Sequence, residues 1–371
     1  MLALNLLWFV LALMFLILVH EAGHMYAARW VGMRVEKFSI FFGRPLVKWN
    51  RGETEYALGW IPLGGYVKIT GFNSTEEQPE ELRDRTYDGK APWKRIVVIL
   101  AGPAVNIVLA FLLFAVTFWI GTSQSQLSPV IDQVTPGSPA ATAGLDPGDR
   151  LLSIDETVTS DVAVFGEAIR GRGVGETITV RYRTADGEEV ARQVTLRPLR
   201  NQDGSLVERN GEPVPGIGVR WTIEQLPNRS YGLVGGLTEA ADLSWEVVVV
   251  TAELIPKAFT ESEAREQLSG PVGIGAAANE IGDEGIIVVL RFIALLSLAL
   301  GIFNLLPLLP LDGGHIAVAI LNKLTGGRVP PGLVERLSIA GFVFLMLVAV
   351  VVLQNDIVRI SDGEIIPTPD P

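Results

Sequence analysis

Apolar positions along this chain collect in long runs separated by stretches with a very different rhythm. Residues 2–19 (LALNLLWFVLALMFLILV), 96–120, 286–309 and 337–353 are almost unbroken Leu, Ile, Val, Ala and Phe. Each approaches the roughly 17–25 residues that a helix needs to cross a hydrocarbon core, so four transmembrane helices are expected. The first run has neither a basic leader nor a small-residue cleavage site, and it continues directly into His20 and Glu21. It is therefore expected to remain as a span rather than to be removed as a signal peptide.

Between the runs the pattern changes. Residues 35–72 are rich in β-formers, with Lys48–Trp49 and Tyr56–Ala57 flanking a turn at Asn50–Arg51–Gly52, which predicts a hairpin between the first two spans. Polar, turn-forming residues at 73–91 read as a surface loop. Segment 127–199 predicts a compact α+β domain: a strand at 130–134, a short helix after Ser138–Pro139, the run LDPGDRLLSID, a helix near 161–170, and strands 177–183 and 190–196 joined at Asp186–Gly187. Through Gly148, Asp149, Leu151, Leu152 and Ile154 this segment resembles a PDZ domain of the bacterial type. Residues 200–236 read as a linker with an added strand (GIGVRW), and 237–260 as an amphipathic helix lying at the membrane surface. The expected fold class is an α-helical integral membrane protein of four spans, with a membrane-associated β-hairpin region and an α+β PDZ-like extracytoplasmic domain. Its parts are a membrane region at 1–120, the PDZ-like domain at 127–199, linker and interfacial helix at 200–285, a second membrane region at 286–356, and a tail at 357–371.

Charge orients the spans. Segment 25–95 holds twelve of the thirty Lys and Arg residues, and 321–336 adds Lys323, Arg328 and Arg336, so both belong to the cytoplasmic side. Segment 241–285 has two basic against nine acidic residues, and the tail has Arg359 against four. Both belong outside, with the N-terminus and the PDZ-like domain. The chain has no cysteine, so a metal would rest on nitrogen and oxygen ligands. The net charge of −11, without a run of Lys and Arg to neutralise phosphates, argues against nucleic acid as a partner.

The chemistry sits where polar residues meet the apolar runs. In His20-Glu21-Ala22-Gly23-His24 a helix places the two imidazoles at i and i+4, one turn apart on one face, as a shared zinc requires. Glu21 stands beside them, where a carboxylate can take a proton from water. These are two of only three histidines in the chain, and ionisable residues at membrane depth are costly and usually functional. A catalytic zinc wants a third protein ligand, and the candidates are Asp312 and His315 in Asn304-Leu-Leu-Pro-Leu-Leu-Pro-Leu-Asp312-Gly-Gly-His315. Running from outside to inside along the first and third spans, His20 and Asp312 both fall roughly 30 Å down, near the cytoplasmic face. Pro307, Pro310, Gly313 and Gly314 are expected to break the helix there and free backbone groups towards a polar cavity.

Taken together, HEAGH, NLLPLLPLDGGH, AGPAVN (Gly102, Pro103, Asn106) and LSGPVGI (268–274) resemble the site-2 protease family, in its bacterial branch that regulates sigma-E. The resemblance implies a zinc metalloendopeptidase of the membrane with His20, His24 and Asp312 on Zn2+, Glu21 as catalytic base, and Asn304 helping to hold substrate. It implies single-span membrane proteins as substrates, with an anti-sigma factor as the example, in the second cut of regulated intramembrane proteolysis. One PDZ-like domain stands where some relatives have two. An intact substrate helix buries its carbonyls, so the substrate must unwind, and a strand edge of the 35–72 hairpin is a place to hold it extended. Gly64 and Gly65 are candidates for facing it. The outer domain would either filter substrates by size or recruit exposed C-termini. Two other classes compete: a non-catalytic scaffold whose zinc is closed by His315 as fourth ligand, which leaves Glu21 unexplained, and a metal transporter, which would want ionisable residues that 96–120 and 337–353 lack.

Overall fold

The computed structural model describes residues 2–72, 79–121, 125–158, 162–199, 206, 208–209, 212–225, 229–261, 268–282, 284–326 and 329–361. The expected loop tip at 73–78, part of the linker at 200–205 and the tail from 362 onwards lie outside the described residues. The chain divides into a membrane-type unit, Met1–Thr122 with Ser230–Thr368, and a second compact unit, Ser123–Arg229.

In the first unit four helices are long and apolar enough to cross a membrane. Helix α1 spans Leu2–Trp30, so it carries on past the apolar run 2–19 and takes in the histidine motif, as the i, i+4 spacing requires. The segment HEAGHMYAARW contains no proline, and the helix continues through Gly23 until Gly32 takes a positive φ of 78°. The histidine motif thus lies inside a helix rather than at its end. Helix α2 covers Pro92–Ile120, with Pro92 at its start, where a missing N–H costs nothing.

Between them lie β1 (Val35–Arg51) and β2 (Thr54–Ile69), turning at Gly52 as the sequence suggests, with Lys48 opposite Ala57 and Trp49 opposite Tyr56. The hairpin is more elaborate than two ribbons. It folds over, so that Phe38 pairs with both Tyr56 and Val67, and Ile40 with both Leu58 and Gly65. Segment 35–40 is therefore an inner ribbon, and 65–69 forms an edge.

The second unit is an antiparallel sheet of β3 (Ser125–Val134), β4 (Arg150–Ile154), β5 (Thr157–Val158), β6 (Thr177–Arg183), β7 (Glu189–Thr195) and β8 (Val219–Gln225). Helices α3 (Pro139–Ala143) and α4 (Val162–Arg170) accompany it. Its order is β8-β3-β4-β6-β7, with β5 on β4. Along β6 the inward residues Ile178, Val180 and Tyr182 are buried and alternate with Thr177, Arg181 and Arg183, the period of a half-buried strand. They pack with Ile131, Leu151 and Phe165 into one core. The boundary at 199 needs correction: β8 lies on β3 with Val219 opposite Val134 and Ile223 opposite Leu127, so the unit runs on to Arg229. The GIGVRW strand belongs to the domain because Ile217 is buried in its core and Val219 and Trp221 pack against that core.

Returning to the first unit, α5 spans Leu233–Thr260 and packs Ala240 into a cluster with Ala110, Phe114, Phe118, Ala294 and Leu298. A short helix α6 (Pro271–Ile281), α7 (Ile286–Asn304), α8 (Asp312–Leu324) and α9 (Pro331–Ser361) follow. Neither α6 nor α8 was evident as a helix in the apolar pattern. Small residues allow the helices to approach closely. A Cβ on Gly23 would come 2.6 Å from the Ala101 carbonyl oxygen on α2, and one on Gly301 would come 2.8 Å from Ile107. At the second of these crossings Ser297 donates to the Asn106 carbonyl at 2.8 Å, fully buried.

Candidate metal centre

His20 and His24 project from one face of α1, and the third member comes from the start of α8. After α7 the chain cannot continue as a helix through Pro307 and Pro310, which lack the N–H that the next turn needs. It folds back within seven residues and restarts at Asp312. Gly313 and Gly314 do not break a helix, contrary to the expectation from sequence; they form the first turn of α8. A Cβ on Gly313 would run into the Leu305 and Leu306 carbonyls, and one on Gly314 into the Leu309 backbone, so the two glycines permit the tight fold-back that presents Asp312.

The result is a triangle of donor atoms. His20 Nε2 lies 3.1 Å from Asp312 Oδ2, His24 Nε2 lies 3.3 Å from the same oxygen, and the two imidazole Nε2 atoms are 3.2 Å apart. His24 Nδ1 donates to the Val98 carbonyl at 2.8 Å, which fixes the tautomer and leaves Nε2 with a lone pair. With His20 in the same tautomer, the two nitrogens and the carboxylate oxygen would repel one another unless a cation stood among them. Bonds of about 2.0–2.2 Å to a tetrahedral zinc would set such atoms roughly 3.3–3.6 Å apart; the donors, at 3.1–3.3 Å, stand at the lower end of that range or a few tenths of an ångström below it and match the ion in chemistry. Among the described residues this is the group of His and acidic side chains close enough to hold a metal, and it would offer a tetrahedral zinc three of its four ligands.

The other candidate residues divide. Gly65 is brought to the site: a Cβ there would lie 3.1 Å from Glu21 Cγ and 2.9 Å from the Ser39 carbonyl, so the edge ribbon of the hairpin passes close to the side chain that follows His20. Gly64 takes a φ of 104°, open to glycine, beside the Phe42 ring. Asn304 donates to Leu300 O one turn back at 2.9 Å and makes no contact with the ligand triangle in the described structure. His315 packs its ring against Phe72 at 5.2 Å and lies outside the triangle. Two features escaped the sequence. Gly102 on α2 faces His24 so closely that any Cβ would overlap the imidazole, and Val98 holds the same ring by its carbonyl. The AGPAVN segment signalled the glycine as part of a motif, but a backbone carbonyl leaves no mark in a sequence.

A peptidase family M50 model matches residues 8–348, nearly the whole chain. The chain belongs to peptidase family M50. Among its relatives, a Rhizobium meliloti protein named as a zinc metalloprotease is 33% identical over 360 residues, covering 94% of this chain and 95% of that one. The regulator of sigma-E protease of Escherichia coli is 30% identical over 445 residues, covering 95% and 98%. That alignment is longer than the 371 residues here, so the E. coli protein carries sequence that this member of the family lacks. Among solved structures, the PDZ domain of an SdrC-like protein from Listeria monocytogenes is 23% identical, covers 25% of this chain and 84% of that one, and has a TM-score of 0.20.

Proposed function

We propose that this family M50 member is a multi-pass zinc metalloendopeptidase that cleaves single-span membrane proteins within or beside the bilayer. The observation that carries this is the convergence of His20, His24 and Asp312 to 3.1–3.3 Å, with Glu21 on the same helix as the two imidazoles. Zinc, when bound, supplies a Lewis acid that polarises a peptide carbonyl and makes water more acidic. His20 and His24 offer neutral nitrogen ligands, and Asp312 adds the negative charge that offsets the cation. Glu21 accepts the proton of the attacking water on its carboxylate and returns it to the leaving amine.

The substrate has to be extended before its carbonyl can be reached. The 65–69 edge of β2 offers backbone donors and acceptors for an added strand, and it runs so near Glu21 that a Cβ at Gly65 would lie 3.1 Å from Glu21 Cγ, which would bring an added strand beside the base. Asn304 would serve the same substrate by turning its amide from Leu300 to the freed backbone. Charge asymmetry supports a plasma-membrane or inner-membrane location with both termini and the PDZ-like unit outside and the metal centre near the cytoplasmic face. The E. coli relative's name, a regulator of sigma-E protease, supports regulated intramembrane proteolysis of an anti-sigma factor as the biological setting.

The test is Glu21→Gln. A carboxamide has nearly the shape of the carboxylate and cannot act as a base, so zinc content and thermal stability should match wild type while cleavage of a single-span substrate in proteoliposomes falls by about 10²–10⁴. Turnover at the wild-type rate would remove the proposed mechanism, and loss of zinc would make Glu21 a ligand instead.

A further inference from the structure

Four arginines that the sequence scatters come together at the end of α1. Arg29 in its last turn, Arg34 before β1, Arg51 at the hairpin turn and Arg85 after the second strand line one cavity of about 500 Å³. Glu53 is the one carboxylate among the lining residues, so three positive charges are left over. Glu53 is already engaged by Arg85 at 2.6 and 3.0 Å.

The remaining arginines have weak or neutral partners. Arg29 donates to the Thr54 and Tyr56 hydroxyls, each at 2.9 Å, and Thr54 in turn donates to the Val35 carbonyl at 2.7 Å, so the guanidinium is held in place without being neutralised. Arg34 comes only within 4.0 Å of Glu36, whose carboxylate also meets Lys68 at 3.2 Å. Arg51 has no carboxylate partner among the described residues, and its side chain is exposed. Guanidiniums gathered in excess of the carboxylates beside them repel one another, and they match the oxygens of a phosphate in pairs.

The place of the cavity says what brings the phosphate. Tyr26 and Trp30, 65% and 77% exposed on the last turns of a helix apolar enough to span, are side chains of the type that sits at headgroup level. We propose that this cavity binds the phosphate headgroup of an anionic phospholipid, with Arg34 and Arg51 as the principal contacts and Arg29 fixed behind them. The inference does not depend on proteolysis, because none of these residues belongs to the metal centre.

Delipidated full-length protein in neutral detergent, titrated with phosphatidylglycerol or phosphatidylcholine and read by native mass spectrometry, tests it. Phosphatidylglycerol should bind at least tenfold more tightly than phosphatidylcholine. At about fivefold for each arginine near a headgroup, Arg51→Ala should weaken it about fivefold and the double change R34A/R51A about thirtyfold, with the weaker binding of phosphatidylcholine, whose choline offsets the phosphate charge, falling by less. Arg51 is an exposed turn residue, so the single variant keeps the test valid if the double variant melts early. Equal binding of the two lipids, or a preference untouched by Arg51→Ala, overturns the proposal. Inorganic phosphate binding as tightly as phosphatidylglycerol would make this a site for a soluble anion, and an acidic peptide displacing the lipid at lower concentration would make it a peptide site; either result also overturns it.

Discussion

At Gly102 a single hydrogen stands where any side chain would meet the His24 imidazole, the ring that Val98 also holds by hydrogen bond. Groups that orient a metal ligand typically matter 10–100-fold in affinity, so Gly102→Ala should weaken zinc binding by about that factor, measured by competition with a chromophoric chelator. A variant with wild-type affinity would show that α2 gives way and that the ring is not held by this contact. Asp312 and His315 allow a sharper comparison. Asp312 shares its Oδ2 with both histidines at 3.1 and 3.3 Å, whereas His315 leans on Phe72. Asp312→Ala should lose zinc at stoichiometric concentrations, and His315→Ala should keep it; equal loss in both would favour a closed, four-ligand structural site. These residues were legible because helical periodicity converts a spacing of four into a shared face, and because a carboxylate at the end of an apolar run needs a reason. The choice between Asp312 and His315 was not legible from chemistry alone, since both side chains bind zinc and only the turn at 305–311 decides which one faces α1.

Among the described residues, helix α9 meets the rest of its unit closely at two places, one near each end. Most of its large apolar residues are exposed, Phe342 at 56% and Leu347 at 61% among them, as a helix facing lipid would be. Near its start Gly341 lies against the Leu309 carbonyl, close enough that no Cβ fits. Near its end Asp356, 1% exposed, accepts from Gly270 N at 3.0 Å and Gly273 N at 2.8 Å, capping the first turn of α6. A Cβ on either glycine would come within 2.7 Å of that carboxylate, which gives the LSGPVGI segment a physical purpose. Asp356→Ala leaves two amide hydrogens without an acceptor and should cost about 3 kcal/mol, read as earlier unfolding in mixed micelles, while Asp356→Asn should cost about half. An alanine variant as stable as wild type would mean that water or a neighbour takes over the cap. The spans themselves were legible from composition because length and apolarity suffice for them. Helices α6 and α8 were not, because eleven- and thirteen-residue segments with mixed polarity are shaped by what they pack against.

For the molecule as a whole, the second unit is an insertion whose two ends meet. Tyr231 N donates to the Phe118 carbonyl at 3.0 Å, and Trp119 Nε1 donates to Leu233 O at 3.1 Å, so the chain leaves α2 and returns to α5 at neighbouring points of the membrane unit. Removing the insert therefore need not pull α2 and α5 apart, provided that the cut respects the fold. Deleting 127–199 would leave β8 without the strand it pairs with, exposing Ile217 and Trp221 from the core of the domain. Deleting 125–229 and closing the gap with a short Gly/Ser linker removes a complete unit. His20, His24, Asp312 and Glu21 all lie in the other unit, so this variant should bind zinc as the full chain does and should cleave a substrate already trimmed on its outer side at about the wild-type rate. If the unit acts as a size filter, the deletion should raise cleavage of a substrate whose outer domain is intact. Should it recruit C-termini instead, cleavage of the trimmed substrate would fall and the intact one would stay uncut. Assaying both substrates in the same proteoliposomes separates the two roles, and a deletion that retains its helical content yet loses zinc would show that the metal centre needs the insert after all.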